Sequence, residues 1–228
     1  MMTINDYVNI IKIGIKATND ESKLDSRIIE RWINSQRALW IKNRAFKGVI
    51  SDEKYYQTLK EAQVTPSPDR FVEWSNSSSK YLTTAQIIPS VLNVKGEYLI
   101  KSCRTSGLNG KEISIVSKED AKHIGLGKFN NSDLYGFIYD RRLFIKVPKN
   151  DYKAALITNI DIDAIFEQPR DLSMYSNNGV ISYNPDEDPY PISDTVWDYI
   201  EGQIKANNFS MYNSIKEDGR NNEKDDRA

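Results

Sequence analysis

LYGFIYDRRLFIKV, residues 134–147, decides the fold class. Two runs of aromatic and β-branched residues, LYGFIYD and RLFIKV, flank polar residues, a pattern of two antiparallel strands joined by a reversal near Arg141 and Arg142. Four further runs share the texture: YLTTAQII (81–88), EYLIKSC (97–103), EISIVS (112–117) and ALITNIDIDAIF (155–166). Six such runs in under ninety residues predict an antiparallel β-rich domain over residues 81–168, either a sandwich or a barrel. Asn109-Gly110 suits a tight hairpin turn requiring positive φ.

On either side of this region the hydrophobic period changes from strand to helix. Thr3 and Asp6 resemble a capping box, and Ile4, Val8, Ile11 and Ile15 recur at helical spacing, which predicts a helix over residues 4–17. A second helix is expected over 23–47, with Leu24, Ile28, Ile29, Trp32, Ile33, Leu39, Trp40 and Phe46 on one broad apolar arc. Arg27, Glu30, Arg31, Arg37 and Arg44 fall on the other arc, and Gly48 supplies a left-handed stop. One further turn through Tyr55, Tyr56 and Leu59 closes an N-terminal helical part at residues 1–61.

Residues 62–80, with Pro66, Pro68 and the SNSSS run, read as a linker. Beyond the strands, residues 169–192 carry Pro169, Pro185, Pro189 and Pro191 and read as an extended connection able to clasp a neighbour. Ser193 then caps a helix over 193–215 whose Val196, Trp197, Ile200 and Ile204 form an apolar stripe, followed by a polar tail at 216–228. The order predicts an α+β protein in which N- and C-terminal helices form a helical bundle with an inserted antiparallel β-rich domain, sandwich or barrel-like. Trp32, Trp40 and Trp197 are the expected packing residues between the two ends.

The charge balance excludes a protein that holds nucleic acid simply by being basic: 31 Lys and Arg stand against 32 Asp and Glu. Residues 27–47 nevertheless carry six Lys or Arg and one Glu. Arg37 and Arg44, seven apart, share a stripe that is either solvated or turned toward an acidic partner subunit or a DNA backbone. Gln36 and Asn43, also seven apart, lie inside the apolar arc, where an amide calls for a hydrogen-bond partner across helices or subunits. These four side chains are the candidate interface or channel-facing residues.

Chemistry finds little support. One cysteine, Cys103, excludes an internal disulfide, and one histidine, His123, has to serve any Ser-, Cys- or metal-dependent mechanism. A Cys103–His123 nucleophile pair is the only enzymatic arrangement these residues offer. IGLGKF (124–129) lacks the GxxxxGK[ST] spacing of a phosphate loop. Asp161 and Asp163 alternate along a strand onto one face of the sheet, where they are either solvated or able to hold a cation. No cofactor and no metal is called for. The first twenty residues lack a cleavable leader pattern, and no run approaches a membrane span.

Several segments together resemble a family of phage neck proteins from short-tailed, crAss-like viruses: RIIERWINSQRALWIKN (27–43), IDIDAIFEQPRD (160–171), PYPISDTVWDYIEGQIK (189–205) and the Asn/Asp-rich end. The stretch TPSPDRFVEWSNSSS (65–79) lacks the cysteines associated with relatives. The resemblance implies a virion structural protein of the neck or tail, assembled in the host cytoplasm. It would form a ring homo-oligomer of roughly a dozen copies, contacting the portal protein and other neck or tail proteins, with genomic DNA passing through without base reading. Thirteen tyrosines and two proline-rich connections suit extensive subunit contact. The alternative is a nucleic-acid-binding module using the basic face of the helix at 24–47.

Overall fold

A computed structural model describes residues 2–18, 24–48, 52–67, 80–107, 110–124, 133–147, 156–177 and 180–209. The chain divides into two compact units, Met1–Lys54 with Pro185–Ala228, and Tyr55–Asn184.

The first unit is helical. Helix α1 (Ile4–Thr18) begins with the expected reciprocal capping box: Asp6 accepts from the Thr3 amide at 2.8 Å, and Thr3 Oγ1 accepts from the Asp6 amide at 3.3 Å. Donation from the Thr3 amide, and then from its hydroxyl, holds the Asp6 carboxyl below its usual value. Helix α2 (Ser26–Phe46) is capped by Asp25, which accepts from the Arg27 amide, and ends at Gly48 with φ +71°. Tyr190 N donates to Met2 O, so the returning chain meets the start of α1 before helix α4 (Asp194–Gln203). A π-helical turn, Ile204–Phe209, continues it; the rest of the helix expected to 215 and the polar tail lie outside the described residues. The buried apolar residues of these helices are Ile4, Tyr7, Val8, Ile11 and Ile15 of α1, Ile29, Ile33 and Ile41 of α2, and Val196, Trp197 and Ile200 of α4. Each such Ile or Val contributes on the order of 1.5–3 kcal/mol by leaving water.

The second unit is built on one seven-stranded sheet in the order β5-β9-β1-β2-β8-β7-β6. Its strands are β1 (Gln57–Pro66), β2 (Lys80–Thr84), β5 (Ile100–Thr105), β6 (Ile113–Ile115), β7 (Leu134–Tyr139), β8 (Arg142–Val147) and β9 (Asn159–Ala164). Two small hairpins, β3 (Asn93–Val94) with β4 (Glu97–Tyr98) and β10 (Ser176–Asn177) with β11 (Val180–Ile181), stand beside it. The sheet nearly closes into a barrel because its end strands approach each other: Arg104 bridges Glu112, and Thr105 N donates to Lys111 O at 2.9 Å. The architecture is therefore mixed α+β with a barrel-like sheet rather than a sandwich. One pair, β6 with β7, is parallel, because helix α3 (Lys118–His123) lies in the connection between them.

Two differences from the sequence reading have plain causes. Residues 57–66, expected as the end of a helical turn and the start of a linker, form β1 at the heart of the sheet. A bulge with Glu61 at φ +51° puts two residues instead of one between the buried Leu59 and Ala62, which hides the period of two. The β7–β8 reversal falls on Asp140 and Arg141, with φ +48° and +54°, one residue before the expected position. Both adopt the left-handed conformation of a type I′ hairpin, and Asp tolerates it better than most residues. The Asn109-Gly110 turn includes Asn109, outside the described residues.

Alternation along β8 sorts its side chains into two layers. Leu143 and Ile145 enter the main core with Leu59, Val64, Cys103, Ile160 and Ile162, while Phe144 stacks on Phe137 at 5.4 Å beneath Ala121 of α3. Lys146 follows Phe144 to that side and donates to the Ala121 and Ile124 carbonyls at the end of α3, at 3.1 and 2.6 Å. Burial lowers its ammonium pKa.

Candidate functional site

The polar centre of the helical unit lies where sequence reasoning expected solvent. Ile29, Ile33, Arg37 and Ile41 are four residues apart along α2, so they form one stripe, and all are buried. Arg37 is 0% exposed, which corrects its expected place on an interface or channel-facing stripe. Its Nε donates to Pro191 O at 3.0 Å and its guanidinium lies 5.7 Å from the Tyr190 ring centroid. Tyr190 OH donates to Asn34 Oδ1 at 2.6 Å, and Tyr7 meets Tyr190 edge-on at 5.9 Å. A planar, permanently charged donor suits this place because it can bond a carbonyl and lie against a ring at once.

Other expected residues scatter. Arg44 is exposed, with its guanidinium 5.0 Å from the Trp40 ring centroid. Gln36 is half-buried and Asn43 is exposed, so the buried amide of α2 is Asn34, three residues before Arg37 on the inner side. Trp32 and Trp40 are half-buried, while Trp197 is buried against Tyr7 at 4.3 Å. Asn34, Tyr190 and Tyr7 were missed by sequence reasoning. The usable signal was the unbroken four-residue ladder from Ile29 to Ile41, which passes through Arg37 and not through Arg44.

In the sheet unit, Asp161 and Asp163 do share a face, as the alternation of β9 requires. Their carboxylates are engaged by the protein itself. Asp163 accepts from Thr58 Oγ1 at 2.6 Å and Ser102 Oγ at 2.5 Å, with Arg104 at 3.9 Å. Asp161 accepts from the Glu61 amide and Ser106 Oγ, both at 2.8 Å. These bonds stitch β9 to its two neighbours, including the bulged residue of β1. Among the described residues no cluster of His, Cys, Asp and Glu has the form of a metal site.

Cys103 is buried and its thiol is pushed up to about 12 by burial, then by the charges of Asp161 and Asp163. A neutral buried thiol is a poor nucleophile. The His123 side chain and most of IGLGKF lie outside the described residues. Iodoacetamide at pH 8 is expected to label Cys103 in the native protein at least on the order of a hundredfold more slowly than in urea. Because the folded pKa lies above the unfolded one, the thiol's contribution to stability is complete below about pH 9 and declines as pH rises toward 12. Labelling at equal rates in both states would show an accessible thiol instead.

Among the described residues no helix is long and apolar enough to cross a membrane. No curated protein matches the chain. A family model does, over nearly its whole length and across both the helical unit with its buried Arg37 centre and the barrel-like sheet. That model, described as phage tail ring protein 2 of the crAss-like group, covers residues 7–227, and the chain belongs to this family of virion ring proteins.

Proposed function

We propose that the protein is a structural subunit of the phage neck, closing with copies of itself into a ring between portal and tail through which genomic DNA passes. The observation that carries this reading is membership, over residues 7–227, in a tail ring family. In this reading the terminal helices form a bundle that acts as the joint between copies, and the strand-rich residues form a collar. Roughly a dozen copies would match a ring seated on a portal by closed symmetry. Arg44, Gln36 and Asn43 serve as interface or channel-facing side chains, with DNA met only through non-specific phosphate contact. The protein has no catalytic role in this scheme. A DNA-binding module built on Arg37 and Arg44 is disfavoured, because the buried Arg37 cannot reach a phosphate.

The test is assembly of the purified chain, alone and with the portal protein of the same phage, by mass photometry and negative-stain electron microscopy. Closed rings, alone or nucleated on the portal, are the expected result. A chain that stays monomeric under both conditions overturns the reading.

A further inference from the structure

Helix α2 carries a second apolar line. Ile28, Trp32, Leu39 and Phe46 are spaced four, seven and seven residues apart, which at 100° per residue confines them to about 40° of the helix circumference. That line lies roughly opposite the buried ladder of Ile29, Ile33, Arg37 and Ile41. Ile28 is 43%, Leu39 50% and Phe46 61% exposed, and Trp32 is half-buried. A helix apolar on two opposite sides is suited to burial on both. One side faces the chain's own core.

Charge indicates what covers the other. Helix α2 carries five Lys or Arg and one Glu; Arg31 is exposed on the flank of the apolar line, and Arg27, also exposed, lies one turn before it on the same stripe, farther round the helix. Helix α4 carries Asp194, Asp198 and Glu201 and no base. Asp194, Asp198 and Gly202 follow one another at four-residue spacing on its exposed face, with Tyr199, 40% exposed, at the margin. Gly202 costs helix stability compared with alanine, and a Cβ there would meet nothing within 4 Å, so the chain's own packing does not require it. Its bare backbone would let an apolar ridge approach closely. A ring closed by head-to-tail contacts needs two different, complementary patches on each subunit.

Building on the ring reading, we infer that the Ile28–Trp32–Leu39–Phe46 line of α2, with Arg27 and Arg31, docks on the Asp194–Asp198–Gly202 face of α4 in the next copy of the chain. The apolar line supplies the buried centre of the contact and the opposite charges fix which patch meets which.

The test uses the full chain and mass photometry under conditions where wild type forms rings, alone or on the portal. Arg27→Glu with Arg31→Glu is expected to reduce the ring population at least about tenfold, and adding Asp194→Lys with Asp198→Lys to restore it. All four positions are exposed, and unchanged circular dichroism and melting temperature verify folding. In a second arm, Ile28→Cys and Tyr199→Cys chains, whose positions lie within about one turn of the paired charges, are mixed under oxidation. Covalent dimers should form in the mixture and not in either chain alone, since the native Cys103 is buried. Rings that persist in the charge-reversed protein, together with no cross-link in the mixture, overturn this contact while leaving the ring reading intact. So do reversed chains that still form rings but lose the portal, which would make the patch a portal site. Wild type that never forms rings overturns both.

Discussion

Arg37→Ala should destabilise the helical unit by about 3–5 kcal/mol, a large share of the stability of an ordinary domain. Three losses combine. The Pro191 carbonyl loses a charged donor at 3.0 Å in a place where Arg37 itself has no exposure. The Tyr190 ring loses the guanidinium near its face, and truncation leaves a cavity between α2 and the returning chain. Arg37→Met separates these contributions, because it fills most of the volume and donates nothing. A stability for Met midway between wild type and Ala assigns the remaining loss to the hydrogen bond. Arg37→Lys is not a conservative change here, since an ammonium cannot present a planar face to the ring. Urea melts give the magnitude, and hydrogen exchange should locate the opening at amides of α2 and of residues 190–197. An Ala variant within about 0.5 kcal/mol of wild type would falsify the structural role and return Arg37 to the surface.

This centre was only half legible in the sequence. Helical wheels sort residues by hydrophobicity, and Arg37 was placed with Arg27, Arg31 and Arg44 because it is charged. Spacing alone tells otherwise: Ile29, Ile33 and Ile41 bracket it on one line. What the sequence does not contain is the far partner. The acceptor is a backbone carbonyl 154 residues away, and a carbonyl has no sequence signature. The same holds for Asn34, whose need for a partner is readable but whose partner, the Tyr190 hydroxyl, is one of thirteen tyrosines.

The sheet shows the opposite balance. All six strand-like runs supply sheet strands, with EYLIKSC supplying β4 and β5, because alternating β-branched and aromatic residues are a local signal. Strand β1 was hidden since QTLKEAQVTP is rich in helix formers and its bulge breaks the alternation. The parallel β6–β7 pair and the approach of β5 to β6 are matters of long-range register, to which local pattern is blind. The two aspartates of β9 were placed on one shared face by alternation, while their hydroxyl and amide partners depend on the strand order.

Phe166→Ala should cost the sheet unit about 3–5 kcal/mol. Phe166 has no exposed surface and sits in the main core just past the end of β9. The backbone around it is a junction: Leu92 N donates to Ile165 O at 2.8 Å, Ile165 N to Leu99 O at 3.0 Å, and Glu167 N to Ser90 O at 2.8 Å. Phe166 also forms a β-bridge with Val91. The ring therefore fills the space under a crossing of three chain segments, and its removal leaves a cavity that fixed backbone bonds keep from collapsing. Phe166→Leu retains most of the apolar volume and should cost about 1–1.5 kcal/mol. The measurement is again denaturant unfolding, with hydrogen exchange expected to quicken at residues 90–92, 99 and 165–167 before the rest of the sheet. Equal losses for Ala and Leu would point to the aromatic edge rather than to cavity volume. Exchange that quickens first in β7 and β8 would mean that the barrel opens elsewhere, and that this junction is not what holds β9 in register.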